Sequence, residues 1–313
     1  MLLLLLACKA PAPEDTAPWE PSWDQPDWDT PGARRWANTG GWYPNDPDEL
    51  DAEVQALLEA GGGTPQATQS VLVPHARFLS AGAVAGHAYS RVEIPERVIL
   101  LVPNHGSGAQ LAIWDEGPWL VPGHSLQKDD QLTDRLRELL PELENDPVSF
   151  SRHPPEMQLP FLQYLNPDVK IAAIAIRDTP SEHFGEGVLD PAFTPQEVDR
   201  WGTALSTVLQ EFPNTLLLTS TDLTHWEDTE TTATQCEALM GYIGTNDVPG
   251  LHAYVVTGEI SIGGEIPTAI MMSAMGKLGY AEASWSHWGD SFHVNEDPSD
   301  VIAYPSLGTW SAQ

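Results

Sequence analysis

The sequence predicts an α/β fold: a single-domain α/β sandwich with a largely parallel central sheet flanked by helices. Three observations carry that prediction. Short β-branched and leucine-rich runs at 71–73, 98–102, 169–176 and 215–220 read as strands. The 169–176 run is continuously apolar, as expected of a strand covered on both faces. Stretches of helical period lie between the runs, and this alternation is the pattern of a parallel sheet with helices on both sides.

In chain order, Asp48 caps a helix whose apolar stripe is Leu50, Val54, Leu57 and Leu58, and Gly61-Gly62-Gly63 stops it. Residues 81–89 read as a small-residue helix packed closely on the sheet. Residues 129–140 form an amphipathic helix ended by Pro141, and 196–212 a further helix. Residues 232–243, 248–256 and 267–278 read as helices, and 301–310 as the closing strand.

With 313 residues, 41% of them hydrophobic, the chain can build one large domain or two modest ones. Fourteen Lys and Arg stand against 45 Asp and Glu, a formal charge of −31. That balance argues against a nucleic-acid partner, since phosphate backbones are held by Lys and Arg. It reads instead as a solubilising surface.

The N-terminus, Met1 to Cys8, ends in Leu5-Leu6-Ala7-Cys8 and has the form of a bacterial lipobox. Residues 1–8 are read as a lipoprotein signal peptide, with Cys8 lipidated, which places the protein in the cell envelope on a lipid anchor. The apolar run is far shorter than the roughly 20 residues needed to span a bilayer. It also lacks the charged segment that opens an ordinary signal peptide. Residues 9–37 are rich in proline and acid and read as an extended tether that also holds Trp19, Trp23, Trp28 and Trp36. The folded domain is expected at 38–313. Cys8 and Cys236 are the only cysteines, so no disulfide framework is expected, and Cys236 reads as a small buried hydrophobe.

Histidines at the ends of the apolar runs carry the functional signal. His75 follows Val71-Leu72-Val73-Pro74, His105 follows Val102-Pro103-Asn104, and His225 follows Ser220-Thr221-Asp222-Leu223-Thr224. Residues just past the carboxyl ends of parallel strands stand where open α/β sheets hold their ligands. Asp222 lies three residues before His225, and His153 three residues before Glu156. Neutral imidazoles with carboxylates that orient them make metal or acid–base sites.

These segments resemble the Memo family over about residues 38–313. Asn38-Thr39-Gly40-Gly41-Trp42-Tyr43-Pro44 is similar to its opening element. Pro74-His75-Ala76 resembles its Pro-His-Ala-Gly-Tyr motif, and Pro103-Asn104-His105 its Pro-Ser/Asn-His motif. Arg152 to Leu162 resembles Glu-His-Ser-x-Glu-x-His-Leu-Pro-Phe-Leu, and Ser220 to Trp226 resembles Ser-Ser-Asp-Phe-Ser-His-Tyr/Trp. Ile262-Gly263-Gly264-Glu265-Ile266-Pro267 falls where the family has Ile-Cys-Gly-x-x-Pro-Ile, and Trp288-Gly289-Asp290-Ser291 resembles its late Ser-Gly-Asp element. The resemblance implies a fold like that of class III extradiol ring-cleaving dioxygenases. It also implies a site with His75 and His105 as metal ligands and His225, oriented by Asp222, as the acid–base or accessory residue.

The chain departs from the pattern at the site itself. Gly263 stands where the family has its cysteine ligand, Gln158 where it has a second histidine, and Arg77 where it has glycine. A fixed positive charge at Arg77 disfavours a nearby cation unless it is paired. If the chain at Gly263 stays extended, Glu265 faces the same side about 6.6 Å on. That would complete a two-histidine, one-carboxylate set suited to Fe(II). Alternatively, His225 and Asp222 complete a histidine-rich site suited to Zn or Cu, or no metal binds. The expected function is thus a metal-dependent redox or oxygenase-like reaction on a small molecule. The alternative is a non-catalytic envelope lipoprotein that keeps the scaffold for binding. A zinc hydrolase with Asp222 or Glu156 as general base has thinner support, because no His-Glu-x-x-His spacing occurs.

Overall fold

The computed structural model describes residues 30–177, 194–255, 260 and 262–310. The chain runs through helix α1 (Pro47–Gly61), strand β1 (Gln66–Val73), α2 (Phe78–Tyr89), β2 (Val92–Glu93) and β3 (Arg97–Pro103). Then come β4 (Leu111–Ile113), β5 (Trp119–Val121), β6 (His124–Lys128), α3 (Asp130–Leu139) and β7 (Glu144–Asn145). A 3-10 turn at Pro147–Phe150 leads to α4 (His153–Glu156), α5 (Leu159–Leu165) and β8 (Lys170–Ile176). The later elements are α6 (Pro195–Glu211), β9 (Thr215–Ser220), α7 (Thr229–Gly244), α8 (Val248–Val255) and α9 (Glu265–Lys277). The chain closes with β10 (Trp285–Asp290), α10 (Phe292–Asn295) and β11 (Ala303–Trp310).

The four apolar runs of the sequence form the centre of the sheet in the order β1-β9-β3-β8, all parallel. Antiparallel strands extend it on both sides: β11 and β10 beyond β1, and β4 beyond β8. Side chains alternate between the two faces, as the strand period requires. Leu72, Ile99, Leu101, Ile174 and Leu217 pack with Trp201, Leu205 and Ile270 of α6 and α9. Val71, Val73, Leu100, Val102 and Leu218 pack on the other face with Tyr89, Phe161 and Leu162 of α2 and α5. Cys236 is buried within α7, as expected, and burial pushes its thiol up to about 11.

The folded domain starts earlier than residue 38. Arg34 and Trp36 are buried, so the expected tether does not reach residue 37. The reason is a buried ion pair. Arg34 Nη1 donates to Glu156 Oε2, and its other nitrogens donate to the carbonyls of Phe150 and Arg152, both at 3.1 Å. Glu156 also accepts from the Asn38 backbone N–H at 2.8 Å and the Tyr43 hydroxyl at 2.7 Å. A buried charge pair is tolerable only with such extra hydrogen bonds. Glu156 is therefore a structural clamp on the N-terminal segment, with no acceptor capacity left for general-base work. Cys8, the lipobox and Trp19, Trp23 and Trp28 lie outside the described residues. Among the described residues no helix is long and apolar enough to cross a membrane.

Candidate metal centre

Strand register brings the candidate residues to one rim. Val73 of β1 pairs with Ser220 of β9, and Leu101 of β3 with Thr219 of β9, so the three carboxyl ends stand nearly level. Past them the chain delivers Pro74-His75, Asn104-His105 and Thr221 to His225. A fourth segment crosses above: Arg152 and the Pro154-Pro155 pair start α4 at His153, whose ring stacks on Trp42 at 4.2 Å. Together they line a cleft of about 620 Å³ that also holds Asp222, His225, Trp226 and Gly263.

Within the cleft, one ring nitrogen each of His75, His105 and His153 lies within 4.8 Å of the other two. His75 Nε2 and His105 Nε2 are 3.1 Å apart. Two imidazoles on a tetrahedral zinc, with N at 2.0–2.1 Å, hold their nitrogens about 3.3 Å apart. The donor set therefore fits a transition-metal ion. All three rings favour the neutral form that a metal requires. Burial and the neighbouring rings of His105, His153 and His225 hold His75 well below the usual histidine range. Burial and the charge of Arg152 take His105 down to about 4. Burial, His105 and Arg152 take His153 to about 3.

His75 is fixed from behind. Its Nδ1 lies 2.9 Å from Ser220 Oγ. Gln158 Nε2 donates to that oxygen at 3.0 Å and to the Pro74 carbonyl at 2.8 Å, while Gln158 Oε1 accepts from the Tyr89 hydroxyl at 2.9 Å. When Ser220 donates to Nδ1, the ring proton sits on Nε2 and is shared with His105. When Nδ1 donates to Ser220, the Nε2 lone pair points into the cluster, which is the tautomer a metal takes. Ser220, Gln158 and Tyr89 escape the sequence reading as site residues. Their signal is indirect: Ser220 ends β9 opposite Val73, and Gln158 occupies a motif position normally held by histidine.

Asp222 acts on His75. Its Oδ1 accepts the His75 backbone N–H at 2.9 Å, and its Oδ2 is 3.7 Å from His75 Nε2. Burial raises its carboxyl to about 7, against the backbone N–H groups of His75 and Ala76 that lower it. The ring that Asp222 is seen to hold is thus that of His75.

Glu265 is not at the cluster. Gly264, at φ 131°, turns the chain out of the extended path, and Glu265 becomes the first residue of α9. Its carboxylate lies 3.8 Å from His252 Nδ1 in a separate cavity. The chain at Gly263 is held by paired backbone hydrogen bonds to Asp222, at 3.0 and 3.1 Å. A Cβ on Gly263 would sit 3.1 Å from His225 Cε1 and 3.9 Å from His105 Cε1. Position 263 thus aims straight into the cluster, and glycine leaves an open side between His105 and His225. Gly264 must be glycine, because a Cβ there would meet Thr221 Oγ1 at 2.5 Å.

Comparison with known proteins settles the family, because the profile of the Memo-like protein matches residues 34–308. The chain belongs to the Memo-like family. A MEMO1 family protein of Methanopyrus kandleri is 28% identical over 87% of this chain and 96% of its own length. One of Aquifex aeolicus is 27% identical over 86% and 96%. A solved structure of a protein from Escherichia coli K12 aligns with a TM-score of 0.46 at 12% identity, covering 76% of this chain and 99% of its own. The family match begins at Arg34, the residue that clamps the Memo-like domain to Glu156.

Proposed function

We propose that this Memo-like protein is a metal-dependent enzyme with redox or oxygenase-like chemistry on a small molecule, its centre formed by His75, His105 and His153. The convergence of three neutral imidazoles carries the reading. Imidazole donors suit Zn, Cu and Fe alike, and a bound ion would supply a Lewis-acid or redox centre at the cleft floor. Asp222 and Ser220 hold His75 in place, Trp42 holds His153, and His225 stands on the open side to give or take a proton. The missing cysteine at Gly263 favours a non-catalytic scaffold only if nothing replaces it, and His153 offers a third donor. Purified protein reconstituted with Fe(II), Cu or Zn should hold one ion per chain, lost in the His75→Ala/His105→Ala double variant. Absence of stoichiometric metal from all three would overturn the reading.

We further propose export and anchoring through Cys8, supported by Leu5-Leu6-Ala7-Cys8 and the proline- and acid-rich stretch that follows. Cys8→Ser should move the protein from the membrane to the soluble fraction, and unchanged fractionation would reject the anchor.

A further inference from the structure

In a chain with only 14 Lys and Arg against 45 acids, the placement of each cation is informative. Many are tied to carboxylates: Arg34 to Glu156, Lys128 to Asp115 and Asp130, Arg135 to Glu138 and Glu211, Arg200 to Glu142 and Glu197. Arg77 and Arg177 line the histidine cleft instead. Neither forms an ion pair with a described residue. Arg77 is exposed, and its side chain makes no capping hydrogen bond at the start of α2 and none to another described residue. Arg177 donates to the Gly108 carbonyl, yet its buried Nε–H has no partner among the described residues. The carboxylates of the lining are Asp222, committed to His75, and Asp300. The cleft therefore gathers two cations that no described carboxylate compensates.

The rest of the lining describes the body such an anion would carry. Trp42 and Trp226 supply flat aromatic walls, with Ile262 and Ile302 beside them. Trp226 has φ 59°, a conformation bulky residues rarely adopt, and its ring lies beside His225 at 5.1 Å. Tyr304 and Ser80 add hydroxyl groups near Arg77. Gly263 leaves the approach between His105 and His225 open.

We propose that the cleft binds a small organic carboxylate with a planar apolar body. Its acid group is held by Arg77, with Arg177 as the second cation, and its body lies between the tryptophans facing the open side of the histidine cluster. Arg is suited to this role because its planar fork meets a carboxylate with two parallel hydrogen bonds. The inference names the ligand class of the cleft read above as catalytic. Its test uses metal-free protein, so the two readings fail separately.

The experiment is calorimetric titration of the chelator-treated full chain with three isosteric probes: benzoate, benzamide and benzamidinium. Benzoate should bind one per chain, at least ten-fold tighter than benzamide, and benzamidinium should not bind. Arg77→Gln should bring benzoate down to the level of benzamide, and Arg177→Gln should weaken it as well. Arg200→Gln, on α6, should leave it unchanged. Metal stoichiometry of Arg77→Gln, measured in parallel, should equal that of the parent. No benzoate binding, equal binding of the three probes, or full benzoate affinity in Arg77→Gln would overturn the proposal.

Discussion

His75 Nε2 and His105 Nε2 face each other at 3.1 Å although β9 lies between the strands that deliver them. Such a pair is satisfied in two ways, by one shared proton or by one shared cation, and Ser220 decides which tautomer His75 presents. Removing its hydroxyl leaves Nδ1 without a partner and Gln158 Nε2 without one of its two acceptors. Partners of this kind behind a metal-bound histidine are worth about 10–100-fold in metal affinity. Ser220→Ala should weaken Zn binding by that factor with one-to-one stoichiometry retained, as read by competition with a chromophoric chelator. Unchanged affinity would show that His75 is not a ligand.

Gly263→Cys tests the open side of the cluster. The new Cβ is crowded only by the His225 ring, at 3.1 Å, so a shift of a few tenths of an ångström admits it. A thiolate placed there adds a soft donor to three imidazoles, a set well suited to Zn and Cu. The variant loaded with Co(II) should show a sulfur-to-metal charge-transfer band in the near ultraviolet that the parent lacks. A Co(II)-loaded variant without that band would mean that position 263 does not reach the centre.

The clamp between Arg34 and Glu156 makes a prediction about stability alone. Glu156→Ala leaves a buried guanidinium without its charge partner, a change that costs about 3–5 kcal/mol. It also orphans the N–H groups of Ala37 and Asn38. The urea midpoint should fall accordingly, while folded protein at low urea keeps its metal stoichiometry. Loss of metal without loss of stability would return Glu156 to the site.

The central strands were legible in the sequence because they are buried on both faces and therefore uniformly apolar. The edge elements were not. β4 and β5 have three residues each, too few to show a period, and β10 is a half-exposed run, Trp285-Ser286-His287-Trp288-Gly289-Asp290, with no apolar core. His75, His105 and His225 were legible because each follows such a strand. The third member of the cluster was visible as His153, but its pairing with His75 and His105 depends on α4 crossing the rim. Glu265 misled because Gly263 and Gly264 look compatible with an extended chain, whereas Gly264 turns it into α9. The partners behind His75 are ordinary buried polar residues in sequence, and only the packing of α2 and α5 against the strand ends gives them a role.

The buried titratable groups fix the pH dependence of the metal-free protein. His75, His105 and His153 are held below their unfolded value of about 6.5, the latter two at about 4 and about 3. Between pH 6.5 and 4 the unfolded chain binds those three protons and the native protein largely does not. Their stabilising contribution is thus full above about 6.5 and is lost as the pH falls. Asp222 works in the opposite sense. Its native value of about 7 exceeds the unfolded value of about 3.9, so stability from this group is full at low pH and is lost as the pH rises through 7. In the shared window these four groups together leave the unfolded state with about two more protons than the native state, a slope from the site of up to about 2.7 kcal/mol per pH unit. Melting temperature should therefore peak near pH 6.5 and fall steeply toward pH 4. His105→Ala/His153→Ala removes two of the cluster's three histidine protons, so its melting curve should fall much less steeply, the remainder coming from groups such as His87, also held at about 4. A double variant that melts with the same pH dependence as the parent would place these rings outside the buried, neutral cluster.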